Sequence, residues 1–170
     1  MLGRMKMPVA ACALLLLAGC SADRIERGVF HSRKGYEVRL PASGWLLASG
    51  AKADLELRRG GPAPGGMLVD ATCEGSSPRR PLGVLARHLV FGLTDRSDVE
   101  SQETVVGGRH AVRSLVRGQR DGARVAVEAV VVKDGRCVYD FLYVAPADHF
   151  EAGRSDFRGF VESLAVGREP

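Results

Sequence analysis

Nucleophilic hydrolysis needs a hydroxyl or thiol, a base within reach and a third group that orients the base. The best pairing in this chain is Ser114 with His110, which share one face of an expected strand but stand several residues of strand rise apart. Ser43 precedes Gly44, outside any Gly-x-Ser-x-Gly elbow. Asp140 lies between Val138 and Leu142 on an apolar strand face, where burial can perturb its acidity. Such an acid more often pairs with an arginine, and arginines abound here. His31, His88, His110 and His149 are far apart and lack paired-ligand spacing, which argues against a metal site. His88 falls beside an apolar helical stripe, a structural position. The stretch 60–66 is rich in glycine and proline, but no helix with Lys-Ser/Thr follows it, so it is no phosphate-binding loop. The expectation is a protein that is not an enzyme, with no metal and no cofactor.

The N-terminus carries a different kind of chemistry. Arg4 and Lys6 precede an uncharged, mostly apolar run from Pro8 to Gly19, the layout of a secretory signal. At about a dozen residues the run is shorter than the ~20 a membrane span needs. It is apolar on every side, unlike an amphipathic helix of a mature fold. Leu17-Ala18-Gly19-Cys20 closes it and resembles the lipobox of bacterial lipoproteins. That resemblance implies cleavage before Cys20 and a diacylglycerol on its sulfur, with the new amino group often acylated as well. Two chains suffice for stable anchoring, each buried methylene contributing roughly 0.8 kcal/mol. Ser21, where related proteins held at the inner membrane carry aspartate, implies an outer-membrane anchor facing the periplasm.

The remaining cysteines follow from that address. Cys12 leaves with the signal, and Cys73 and Cys137 remain as an even pair in an oxidising compartment. They are either bonded, stabilising by roughly 4 kcal/mol in the chain-entropy model, or two separate buried thiols. The formal net charge is +4, and loss of Arg4 and Lys6 leaves the mature part at +2. Basic residues are interspersed with acids, with no stripe of the kind nucleic-acid binders present.

The elements that must position these residues read as one domain. We divide the chain into a signal over 1–19, a tether over 20–28 and a single globular domain over 29–167. Strands are expected at 29–32, 36–40 and 53–59, the last two by strict alternation, and at 67–73. Proline-rich 77–81 opens a helix whose stripe is Leu82, Leu85, Leu89, Val90 and Leu93. Strands at 100–106 and 109–119 follow, and Asp121-Gly122 and Asp134-Gly135 are hairpin signals. Between them 125–133 is apolar on both faces, interrupted only by Glu128, and belongs in the middle of a sheet covered twice. Over 137–144, Cys137, Tyr139, Phe141 and Tyr143 share a face. Pro146 ends the sheet, Ser155 caps a last helix with the stripe Phe157, Phe160, Val161 and Leu164, and Gly167 stops it. Trp45, the sole tryptophan, reads as a core plug rather than a ligand platform.

This order predicts an α+β fold, an antiparallel sheet of about six to seven strands sandwiched between helices. Gly35-Tyr36-Glu37-Val38-Arg39-Leu40-Pro41 followed by Gly44-Trp45 resembles the entry of the PsbP-like domains, Mog-type proteins included. The ending, 139–145, Phe150 and then Phe157-Arg158-Gly159-Phe160-Val161-Glu162-Ser163-Leu164, is similar too. The resemblance implies a non-enzymatic binding or assembly module. The functional expectation is a lipid-anchored envelope lipoprotein that docks another envelope protein. The alternative is a carrier of a small ligand or lipid, with the aromatic face of 137–143 lining a pocket under a helix.

Overall fold

A computed structural model describes residues 22–167 apart from Ser43 and Ser76. The signal, Cys12, the lipobox with Cys20, and Ser43 therefore lie outside the described residues.

Strands β4 (Leu46–Leu47), β5 (Leu55–Arg59), β6 (Gly65–Thr72), β7 (Thr94–Val106), β8 (Arg109–Arg120), β9 (Ala123–Lys133) and β10 (Val138–Pro146) form one antiparallel sheet. Its order is β4-β5-β6-β10-β9-β8-β7. A second, four-stranded sheet is built from β1 (Arg24–Glu26), β2 (Val29–His31), β3 (Tyr36–Arg39) and β11 (Ala165–Val166). Helix α1 (Leu82–Leu89) lies on one face of the large sheet, and α2 (Glu151–Glu162) with the small sheet on the other. The expected sandwich is present, with a second sheet sharing one outer layer.

Period-two alternation sorts the side chains between the faces. Toward α2, Leu55, Leu57, Met67, Val69, Phe141 and Tyr143 meet Phe157 and Phe160 in one core. Phe141 meets Phe160 edge-on at 5.5 Å, and Tyr143 stacks on Phe150 at 5.0 Å. Toward α1, Leu82, Leu85, Ala86 and Leu89 cover Val112, Val131 and Val138. Strand β9 is buried on both faces, as its double apolar pattern requires.

Several local expectations are corrected. The proposed tether is partly ordered: β1 pairs with β2 across Arg27-Gly28, whose φ angles of 49° and 75° make the turn. Strand β7 begins at Thr94 rather than 100, because it stays paired with β8 across two register shifts. Gly118 permits this, since a Cβ there would lie 2.7 Å from the Thr94 carbonyl oxygen. Asp121-Gly122 forms the expected tight turn, with φ angles of 52° and 78°. At Asp134-Gly135 the connection is longer, and the Asp134 carboxylate accepts the Arg136 and Cys137 N–H groups. Ser155 caps nothing: α2 starts at Glu151, because Phe150 is buried beneath Tyr143 and fixes the first turn there. The helix ends at Glu162, before Gly167. Ser163 then accepts the Arg39 N–H, and the chain continues into β11 beside β3.

Candidate functional site

Helix α1 is eight residues long and covers only part of its sheet face. Beyond it, over β5, β6, β10 and the end of β9, lies an open groove of about 620 Å³. Its floor includes Leu68, Leu142 and Val144, all half-buried, and its rim carries Arg58 and Arg120. A neighbouring hollow of about 370 Å³ under the end of α1 shares Arg120, Leu142 and Val144 with the groove, so the two adjoin.

The register explains the groove's shape. Leu46, Arg58, Gly66, Val144 and Val127 are successive ladder partners across five strands, on one face. Gly66 contributes no side chain, so the floor dips between Arg58 and Val144. Arg58 is held by Glu56, its Nε and Nη2 donating to Oε1 at 3.0 and 2.8 Å. Two large apolar side chains stand out to solvent beside the groove: Leu46, 73% exposed, and Phe91, 80% exposed just past α1. An apolar floor with a few placed charges and exposed apolar rims can hold an apolar segment or an alkyl chain.

Asp140 lies on this same sheet face. Its ladder partner is Asp70, not an arginine, which corrects the expected ion pair. Its Oδ1 is buried without a hydrogen-bond partner. Burial, and secondarily the Asp70 charge, pushes its carboxyl up to about 6. Asp70 is also raised, by burial first and by Asp54 second, against the pull of Lys34. Lys34 ties the row together: its ammonium bonds Asp54 Oδ1 at 2.7 Å and Asp70 Oδ1 at 3.4 Å, and donates to the Ala71 carbonyl.

The other singled-out residues do not assemble. His110 is exposed, whereas Ser114 is buried and donates to Ser101 Oγ at 3.1 Å. Among the described residues no three His, Cys, Asp or Glu are grouped to hold a metal ion. The aromatic face of β10 is packed rather than open: Tyr139, Phe141 and Tyr143 are wholly buried against α2 and the small sheet. Trp45 is half-buried, packed on Tyr143, with its Nε1 donating to Asp156 at 3.0 Å and the Arg59 guanidinium 4.7 Å from its ring. The sulfurs of Cys73 and Cys137 sit 2.09 Å apart, at disulfide distance, joining the end of β6 to the start of β10.

No family model matches this chain, and no curated protein matches it. Solved structures do resemble it. LpqN of Mycobacterium tuberculosis, described as involved in cell envelope biogenesis, is 15% identical with a TM-score of 0.64, over 78% of this chain and 83% of that one. The cyanobacterial PsbP of Synechocystis sp. PCC 6803 is 16% identical with a TM-score of 0.55, over 89% and 99%. A Pseudomonas aeruginosa protein of unknown function is 12% identical with a TM-score of 0.54, over 79% and 92%. At these identities the likeness concerns the fold, and that fold is PsbP-like.

Proposed function

We propose that this chain is a lipid-anchored envelope lipoprotein, held to the outer membrane through Cys20, that works by binding another envelope protein and catalyses nothing. The observation that carries the reading is the open sheet face: a groove with an apolar floor beside exposed Leu46 and Phe91. Support for the address comes from the lipobox, from Cys73 and Cys137 at disulfide distance, and from the envelope role stated for LpqN. The separation of exposed His110 from buried Ser114 favours binding over hydrolysis.

The test places a photo-crosslinking residue at Leu46 in intact cells. One dominant envelope protein should be captured, and capture should fail with the groove filled. Equal capture from an exposed position on β1 would refute the reading. In the same cells, labelled fatty acid should appear on the protein and vanish in Cys20→Ser. Thiol titration of the unreduced, processed protein should find neither Cys73 nor Cys137 free.

A second reading rests on the groove's volume. About 620 Å³ falls within the range of small-molecule sites, so the face can instead carry a small ligand or lipid. Native mass spectrometry of gently purified protein separates the two: a retained adduct supports the carrier, and a clean apo mass supports the docking module.

A further inference from the structure

Glu128 lies in the middle of β9 with none of its surface exposed. It points to the α2 face, the side opposite the groove. Three guanidiniums converge on it from two elements. Arg113 of β8 donates Nη1 to Oε1 at 2.6 Å, and Arg154 of α2 donates Nε to Oε2 at 2.7 Å. Arg158, one helical turn on, brings Nε to 3.6 Å from Oε1. Arg154 also reaches Glu151 Oε1 at 3.1 Å and rides over the Phe150 ring at 5.5 Å.

Stability alone is a poor account of this cluster. A buried ion pair is often no better than apolar residues of similar volume, and the rest of this strand is largely apolar. One buried carboxylate also cannot satisfy three guanidinium forks, each with five N–H donors. Even with Glu151 included, two carboxylates face three cations. That excess reaches solvent: the Arg113, Arg154 and Arg158 side chains are 15%, 23% and 45% exposed, whereas Glu128 is covered. Glu128 therefore lies at the bottom, Glu151 flanks Arg154 at the rim with its side chain 67% exposed, and the N–H groups of Arg113 and Arg158 are left toward the mouth.

We propose that Arg113, Arg154 and Arg158 form a binding site for a phosphate group, as a soluble phosphate ester or as a phospholipid headgroup. Planar forks match the oxygens of such an anion in pairs. Inorganic phosphate or a phosphate monoester, with at least three terminal oxygens, suits a surplus of donors from several forks better than a second carboxylate does, and a phosphodiester headgroup offers two terminal and two ester oxygens. Glu128 acts as a positioning residue. It orders Arg113 and Arg154 before the anion arrives, which lowers the cost of fixing them on binding. The site is independent of the groove and stands whether or not the groove binds a protein.

The experiment uses the full chain in a non-ionic detergent, with arginine Nε–Hε resonances followed during titration with inorganic phosphate. Sodium chloride at matched ionic strength is the control. Arg113 and Arg158 should shift saturably with phosphate and not with chloride. Arg158→Ala should weaken binding roughly tenfold, the loss expected for one charge-assisted hydrogen bond. Arg158→Lys, which keeps the charge without the fork, should fall between. Arg33→Ala, at an exposed turn beside β3, should change nothing. Equal shifts with chloride, or an unchanged affinity in Arg158→Ala, overturn the assignment. Glycerol 3-phosphate and a short-chain phosphatidylglycerol then separate the sources, because the tighter binder identifies the ester or the headgroup.

Discussion

The two faces of the seven-stranded sheet follow the same alternation and end differently. The α2 face is closed: Tyr139, Phe141, Tyr143, Phe157 and Phe160 interlock, and the small sheet adds Phe30, Tyr36 and Val38. The α1 face is aliphatic and only partly roofed, with Leu68, Leu142 and Val144 left half-buried. Aromatic rings bury large areas each and lock one another by edge and stacking contacts. An eight-residue helix cannot span seven strands, since it is only about 12 Å long and strands lie about 4.8 Å apart. One face holds the fold together, and the other is left available.

The sharpest way to break that contrast is to cut one large apolar side chain from the packing on each side of the sheet. Phe157→Ala should cost about 3–5 kcal/mol, because a wholly buried ring leaves a cavity. Leu142→Ala in the groove floor should cost about 1 kcal/mol, since that side chain already meets solvent. Urea denaturation of both variants checks this, and equal losses would mean that the faces are not different in kind.

Asp140 gives the next largest effect, and its sign is opposite. Its carboxyl ionises at about 6 in the fold against an ordinary 3.8. Between those values the unfolded chain has released the proton and the folded chain keeps it, so stability falls as pH rises from about 4 to 6. Above pH 6 the penalty is constant, on the order of 2–3 kcal/mol. Asp140→Asn should therefore stabilise the protein at pH 7 by up to that amount, with the advantage closing toward pH 4. Thermal unfolding across that range reads it directly. Asp134 works in a separate window. Burial opposes its charge, but bonds from Cys137, Tyr139 and Arg136 outweigh burial and lower its pKa. Its contribution is present above the ordinary carboxylate value and lost as pH falls through the lowered one.

A third, smaller contrast lies in the helices. A Cβ at Gly153 of α2 would meet Tyr143 Oη at 2.5 Å and Arg59 Nη2 at 2.7 Å. At Gly83 of α1 the nearest atom would be Arg87 Nη1 at 3.8 Å. Gly153→Ala should thus cost about 1–3 kcal/mol through overpacking, although alanine is the better helix former. Gly83→Ala should gain up to about 1 kcal/mol. Midpoints in urea at constant slope will show whether the signs differ.

How much of this could be read from residue order follows the same division. Strand β9 announces its central place by being apolar on both faces, and the face shared by Tyr139, Phe141 and Tyr143 announces the closed core. What could not be read depends on distant placement. Residues 94–99 show no alternation, and they are strand only because β8 tolerates two shifts, the first of them opposite Gly118. The start of α2 is set by Phe150 lodging under Tyr143, a contact that no local cap signal encodes. Leu68, Leu142 and Val144 read as ordinary strand residues, and their exposure follows from where α1 stops. Asp140 was visible as an odd acid, but its partner Asp70 is set by the β6–β10 register. Glu128 left a usable signal, a lone charge in a doubly apolar strand. Arg154 and Arg158, four apart on one helix, were the other half of it.

The smallest expected change in stability is the most informative about the open face. Gly66 sits in a strand without a positive φ, and a Cβ there would make only ordinary contacts, 3.8 Å from Leu57 O and Val144 Cγ1. Valine suits a pleated strand better than glycine, so Gly66→Val should shift unfolding by less than about 1 kcal/mol, in the stabilising direction. Its side chain would nevertheless rise into the dip between Arg58 and Val144 and fill the groove floor. If this face is used, crosslinking from Leu46 should collapse in a protein that is as stable as its parent. If capture survives, the groove is a gap in the roof with no occupant, and the contrast between the faces concerns folding alone.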